Sequence, residues 1–363
     1  MTMDPKWTRI GMAALALTLA SCADAASPLF PGVREFGCSI PEDMIFNGGP
    51  GKDGIPALTD PALVAPNDAE AEYLREDDRV IGLDMGGMAV AVPLNILWHH
   101  EIVNLNQGGE SLAVTHCPLT GSSLVFDRGP LGGVEFGVSG LLYMNNLIMY
   151  DRSDEESLWP QMARGARCGS RDGTELVMVP AVEMEWGEWR RLRPNTTVVG
   201  AATGYDRNYR RYPYGNYDET SNSSLLFPVP DGIDGRRPPK ERVLGIPTSG
   251  GGLALPFGEL ASSAAKAVVE LEVDGAPVVV FWDSAAAAAM AYDPVVDGTR
   301  LTFEVVDGAI VDEGTGTAWR VDGRTNGGAL HPPQQLRPVT EAHVAYWFAW
   351  AAFHPDTDIW MSG

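Results

Sequence analysis

Val80-Ile81-Gly82-Leu83-Asp84-Met85-Gly86-Gly87 opens the pattern that decides the fold. An apolar run meets paired glycines, and a second apolar run reaches Val92-Pro93-Leu94. Short apolar runs around a glycine turn specify a hairpin. The same order returns later in the chain. Val80-Ile81-Gly82-Leu83 is echoed by Val243-Leu244-Gly245-Ile246, and Val92-Pro93-Leu94 with Leu97 by Leu255-Pro256-Phe257 with Leu260. Leu112-Ala113-Val114-Thr115 is echoed by Val278-Val279-Val280-Phe281. Met149-Tyr150-Asp151 and Ser157-Leu158-Trp159 return as Ile310-Val311-Asp312 and Thr317-Ala318-Trp319. Pro194-Asn195-Thr196-Thr197-Val198 returns as Pro355-Asp356-Thr357-Asp358-Ile359. The period is too long for a solenoid. Segments near 80–200 and 243–360 are expected to share one chain path, as two tandem domains from an internal duplication. The alternative is two unrelated β-rich halves that share turn chemistry.

The fold class that follows is mainly β, with a few short helices. Further hairpins are expected around Pro118-Leu119-Thr120-Gly121 and around Asn145-Asn146. Short helices are expected between Leu94 and Asn104 and from Ala285 to Met290, with Tyr292. The division expected is a signal over 1–21, a tether over 22–35 and a first repeat over 36–204. A linker rich in Tyr, Asn and Pro over 205–242 and a degenerate second repeat over 243–363 complete it.

Lys6 and Arg9 precede the apolar run Ile10–Ala20, which is too short to span a bilayer comfortably. It ends in Leu19-Ala20-Ser21-Cys22, small residues before a cysteine. That order fits a cleavable signal and a lipidated Cys22 that tethers an envelope protein to a membrane. The alternative is an ordinary cut after a later alanine, with Cys22 incidental. The formal net charge of −22 repels nucleic acid and anionic head groups. Arg190-Arg191-Leu192-Arg193 and Arg207 with Arg210-Arg211 are the notable basic clusters, and each reads as a solvated or ion-paired face. Beyond Cys22 the cysteines are Cys38, Cys117 and Cys168. Three is odd, so one is free, metal-bound or paired with another molecule. The simplest arrangement pairs Cys38 with Cys168.

The two copies differ where chemistry would sit. His99, His100, Glu101, His116 and Cys117 belong to the first, while Ser262, Ser263 and Trp282-Asp283 stand in the comparable places of the second. Cys117 follows a strand and precedes Pro118 at a sharp turn. Thiolate and imidazole together suit copper or zinc, so His100, His116 and Cys117 are the candidate metal ligands. Cys117, His100 and Glu101 are the candidates for catalysis, with Glu101 as a general base or as the group that orients His100. A reactive Cys117 must be accessible and of lowered pKa. Against this, a lone cysteine commonly packs as a small hydrophobe. Ser122-Ser123 and Ser139-Gly140 lack the Gly-x-Ser-x-Gly context of a hydrolase, and Thr248-Ser249-Gly250-Gly251-Gly252 lacks the ending of a phosphate loop.

Several stretches occur in a recognisable order. They are Lys52-Asp53-Gly54-Ile55-Pro56-Ala57-Leu58, His100-Glu101-Ile102-Val103-Asn104 and Cys117-Pro118-Leu119-Thr120-Gly121. Phe136-Gly137-Val138-Ser139-Gly140-Leu141-Leu142-Tyr143, Met149-Tyr150-Asp151 and Ser157-Leu158-Trp159-Pro160-Gln161 follow. Pro239-Lys240 and Trp347-Phe348-Ala349-Trp350 come later. The ordered set resembles the bacterial family known as domain of unknown function 3179, over nearly all of the mature chain. The resemblance implies a family and no activity. Members carry a Cys-Pro-Leu-Cys pattern where this chain has Thr120, which argues against a two-thiol scheme in that loop. Asp53, Asn104, Asp151 and Gln161 lie in these motifs and are candidates for holding a cofactor. The simplest roles of Asp53 and Asp151 are a turn and a loop anchor. The leading functional reading is a thiolate/imidazole metal or redox site, and its rival is a non-catalytic envelope binding or scaffold module.

Overall fold

The computed structural model describes residues 37–229, 232–326 and 334–363. The expected signal, Cys22 and the tether fall outside the described residues. No helix among the described residues is long and apolar enough to cross a membrane.

The chain is mainly β. Strands β1 (Arg79–Met85) and β2 (Met88–Pro93) form the hairpin around Gly86-Gly87, and both glycines take positive φ. Helix α1 (Leu94–His100) follows, and Glu101 ends it at φ 57°. The expected helix therefore stops before Asn104, which lies in β3 (Ile102–Gln107). Strands β3, β4 (Glu110–Cys117) and β5 (Ser122–Asp127) make an antiparallel meander, and β6 (Phe136–Tyr143) pairs with β7 (Asn146–Asp151). Strand β8 (Val182–Glu185), α2 (Trp186–Leu192) and β9 (Thr197–Val199) return to the first hairpin. There β8 runs antiparallel to β1 and β9 parallel to β2.

The second half runs through β10 (Arg242–Thr248), β11 (Gly251–Pro256), α3 (Phe257–Ser263), β12 (Lys266–Val273), β13 (Ala276–Asp283) and β14 (Ala288–Asp293). It closes with β15 (His343–Tyr346), α4 (Trp347–Phe353) and β16 (Thr357–Ile359). The order β8-β1-β2-β9 has its counterpart in β15-β10-β11-β16. Register agrees as well. Val80 faces Pro93 as Val243 faces Pro256, and Val198 lies beside Ala91 as Ile359 lies beside Ala254. The echoed glycines have a packing reason. A Cβ on Gly82 would stand 2.4 Å from the Trp189 ring, and one on Gly245 2.2 Å from Trp350. Each indole then donates to a threonine hydroxyl, Trp189 to Thr196 at 2.8 Å and Trp350 to Thr357 at 2.9 Å.

The halves interlock by two reciprocal crossings. Tyr346 N–H donates to the Thr120 carbonyl at 2.8 Å, and Glu185 N–H to the Ala286 carbonyl at 2.9 Å. Val344 of β15 lies opposite Ser123 of β5, so one sheet runs through both halves.

The expected helix from Ala285 to Met290 is corrected. Ser284–Ala287 turns, and Ala288–Asp293 is strand β14, paired along β13. Alanine favours a helix in isolation. Here Ala286, Ala288, Ala289 and Ala291 are buried, and their small side chains let the meander pack closely against its neighbours. Tertiary packing outweighs a propensity of a few tenths of a kcal/mol, roughly, per residue.

The described residues of 205–241 carry no strand and touch both halves, with Trp347 Nε1 donating to the Asp234 carbonyl at 2.9 Å. Tyr217 donates its hydroxyl to the Leu119 carbonyl at 3.0 Å. Lys240, 1% exposed, donates to the carbonyls of Tyr217 and Ser224, each at 2.8 Å, and lies over the Tyr217 ring. Cys38 and Cys168 form a disulfide, and Cys117 is free and buried.

Candidate functional site

Cys117 ends β4, where the strand runs into the Pro118–Gly121 turn. Its sulfur accepts the Leu147 N–H at 3.3 Å, and its thiol points at the Asn145 carbonyl at 3.6 Å. The residue is 1% exposed, and burial pushes the thiol up to about 11. That is opposite to the direction a thiolate site requires.

Adjacent residues of a strand face opposite sides. His116 therefore leaves Cys117 and turns to the junction of the halves, where its Nδ1 donates to Ser123 Oγ at 3.0 Å. Ser123 donates onward to Glu183 Oε2 at 2.6 Å. Burial lowers His116 to about 3. His100 is committed on both nitrogens. Nδ1 lies 2.7 Å from the Pro56 carbonyl and Nε2 2.7 Å from the Tyr209 hydroxyl. Burial lowers it to about 4. The expected ligand trio of His100, His116 and Cys117 is thus not assembled. Among the described residues no group of three or more His, Cys, Asp or Glu is placed to hold a metal ion.

The other motif residues are spent on structure. Asn104 donates to the Phe136 carbonyl at 2.9 Å and accepts the Phe136 N–H at 3.0 Å, tying β3 to β6. Gln161 accepts from Ser122 at 2.6 Å and Asn146 at 2.9 Å, and donates to Thr115 at 2.7 Å. Thr120 joins this buried network, with its hydroxyl 2.9 Å from that of Ser122 and 3.0 Å from the Asn146 amide. Asp151 accepts from Trp159 Nε1 at 2.7 Å and from the Ser153 and Ser157 N–H groups, so it anchors the following loop. Asp53, at φ 55°, accepts the Tyr150 hydroxyl at 2.5 Å and faces Arg152.

Glu101 is the exception among the candidates. It is 6% exposed, its backbone is left-handed, and burial alone raises its carboxyl to about 8. At neutral pH it is mostly a neutral acid.

The strongest electrostatic feature was not among the expected site residues. Glu183 accepts from Arg79 of its own half at 2.9 Å and from Arg242 of the other half at 2.8 Å. The Glu183 side chain is 2% exposed and each guanidinium-bearing side chain 18%. Burial alone would raise this carboxyl, but Arg242, Arg79 and His116 pull it down to about 2. The sequence echo carried a signal. Arg79 and Arg242 each immediately precede the echoed Val80 and Val243.

A family model described as a protein of unknown function (DUF3179) matches residues 52–357. Neither a curated protein nor a solved structure matches the chain.

Proposed function

We propose that this chain, which belongs to the DUF3179 family, is an exported, lipid-anchored envelope protein that works as a non-catalytic binding and scaffold module. One observation carries this reading. The polar motif residues Asn104, Thr120, Asn146, Asp151 and Gln161 are fully buried and bonded to one another or to backbone, around a thiol that burial holds protonated. Fully satisfied buried networks specify a unique packing, whereas a reactive group needs access to its substrate. Export is supported by the Cys38–Cys168 disulfide, since such bonds persist in oxidising compartments.

Two experiments test the reading. A thiol-alkylating reagent applied to the folded protein should leave Cys117 unmodified until denaturant is added. Cys117→Ala should cost roughly 1 kcal/mol of stability and leave copper or zinc uptake unchanged. Alkylation of the folded chain at the rate of a free thiol, or metal uptake that vanishes in Cys117→Ala, would restore the thiolate site. For the anchor, Cys22→Ser should abolish lipid attachment and move the protein to the soluble fraction. Unchanged membrane fractionation, with a mass differing only by the substitution, would remove the anchor from the proposal.

A further inference from the structure

Two strand edges that are covered in the first half stand open in the second. In the first half, Leu58-Thr59 runs parallel to Val103-Asn104 along the outer edge of β3. Ile45-Phe46-Asn47 runs antiparallel to Leu141-Leu142-Tyr143 along the outer edge of β6. In the second half β12 follows a hairpin and a short helix as β3 does, and it pairs with β13 alone. The strand Phe303–Val306 pairs with Ala309–Asp312 alone. Among the described residues no strand lies along the other edge of either, and no turn or loop backbone bonds to residues 267–273. The chain before β10 does not cover these edges. Tyr217 bonds the Leu119 carbonyl and Lys240 bonds the Tyr217 carbonyl, so that segment is held elsewhere.

A groove of about 500 Å³ is lined by both strands, through residues 266–269 and 303–305 in succession. Successive side chains of a strand face opposite sides, so a space touched by all of them lies along the edge and not on one face. Trp360 adds an apolar wall. An open edge presents unpaired N–H and C=O groups, which another chain can satisfy. The side chains decide which chain fits. Ala267, Val269, Leu271 and Val273 join the apolar cluster of β13 and β14. Val268, Glu270 and Glu272 alternate with them on the other side, and both glutamates are exposed. Glu304 is exposed on Phe303–Val306. Lys266 is engaged by Asp283, and Arg300 meets Glu270 at 3.8 Å. Glu272 and Glu304 have no ion-pair partner among the described residues. A second copy of β12 would bring like charges together, which destabilises a strand pair. A strand with Lys or Arg at every second position pairs with these carboxylates and leaves its other side apolar.

We propose that β12 takes an extended basic segment of a partner protein, which adds to its open edge as a strand. Apolar side chains of that segment continue the face of Val269 and Leu271, and its Lys or Arg side chains meet Glu270, Glu272 and Glu304. Main-chain bonds supply the affinity, and the alternating side chains supply the selection. The inference deepens the binding-module reading and rests on it.

Calorimetric titration of the purified full chain with three capped hexapeptides tests the edge. The first alternates Lys and Val, the second alternates Glu and Val, and the third is the first with every backbone amide N-methylated. The Lys peptide should bind. The Glu peptide reverses the charge, and the methylated peptide keeps the charge but cannot donate to a strand, so each should bind at least about tenfold more weakly. Glu272→Lys should weaken the Lys peptide at least about fivefold. Glu155→Lys, the same charge change at an exposed residue of the first half, should alter it less than about twofold. Hydrogen exchange should slow at alternate amides of β12 when the Lys peptide is bound. Equal binding of the methylated or the Glu peptide, no uptake of the Lys peptide up to about 1 mM, equal effects of the two substitutions, or unchanged exchange along β12 would each overturn the proposal. The parent reading fails separately. If the Lys peptide adds to β12 while Cys117→Ala abolishes metal uptake, the edge stands and the non-catalytic reading falls. If the peptide fails while Cys117 stays inert, only the edge falls.

Discussion

Glu183→Gln is expected to destabilise the protein by about 3–5 kcal/mol, the cost of leaving buried charges without their partner. The carboxylate bridges Arg79 of one half and Arg242 of the other, and the Ser123 hydroxyl holds its second oxygen. The glutamine keeps the shape and loses the charge, so two guanidiniums then repel each other with no anion between them. Because the bridge spans the halves, chemical denaturation of the variant should begin to separate into two steps. The pH dependence has a definite sign. The folded pKa, about 2, lies below the ordinary carboxylate value of about 4.5. The stabilisation is therefore fully present above about 4.5 and lost as pH falls through about 2. Glu188→Gln, on the surface pair with Arg191, should change stability by less than about 0.5 kcal/mol and serves as the control. A Glu183→Gln midpoint equal to that of the control would show that the bridge contributes nothing net.

Glu101→Gln should have the opposite sign and a different pH window. Burial raises the Glu101 carboxyl from the ordinary 4.5 to about 8. Between those values the folded chain keeps a proton that the unfolded chain has released. Stability therefore falls as pH rises from about 4.5 to about 8, and then levels off. The amide does not ionise, so the variant escapes that loss. At about pH 9 its gain over the parent has an upper bound of about 5 kcal/mol, reduced by whatever water reaches the carboxyl. Near pH 4.5 the two should agree within about 1 kcal/mol, the scale of one exchanged hydrogen bond. Urea midpoints across this range measure it. Parallel pH profiles for the two proteins would mean that Glu101 ionises freely in the fold, and its burial would then carry no electrostatic cost.

Local order was legible in the residues themselves. Gly86-Gly87 announces its hairpin because positive φ costs glycine nothing, and the Pro118–Gly121 and Asn145 turns follow similar local chemistry. The echo of Gly82 by Gly245 marked a shared strand path, because a tryptophan ring occupies the space of a side chain at both positions. Family membership was legible from ordered motifs. The site was not. His116 and Cys117 are neighbours in sequence, and the pleat sends them to opposite faces. His100 loses its free nitrogen to Tyr209, a residue the sequence placed in a linker. The alanines of 285–291 satisfy a helix locally and become a strand because β13 offers them a ladder and a tight fit. Arg242 reaches Glu183, already paired with Arg79 of its own half, only when the halves interlock. Turn and strand are decided by forces acting over a few residues. Whether a buried charge finds a partner depends on atoms far apart in the chain, and only the tertiary structure brings those together.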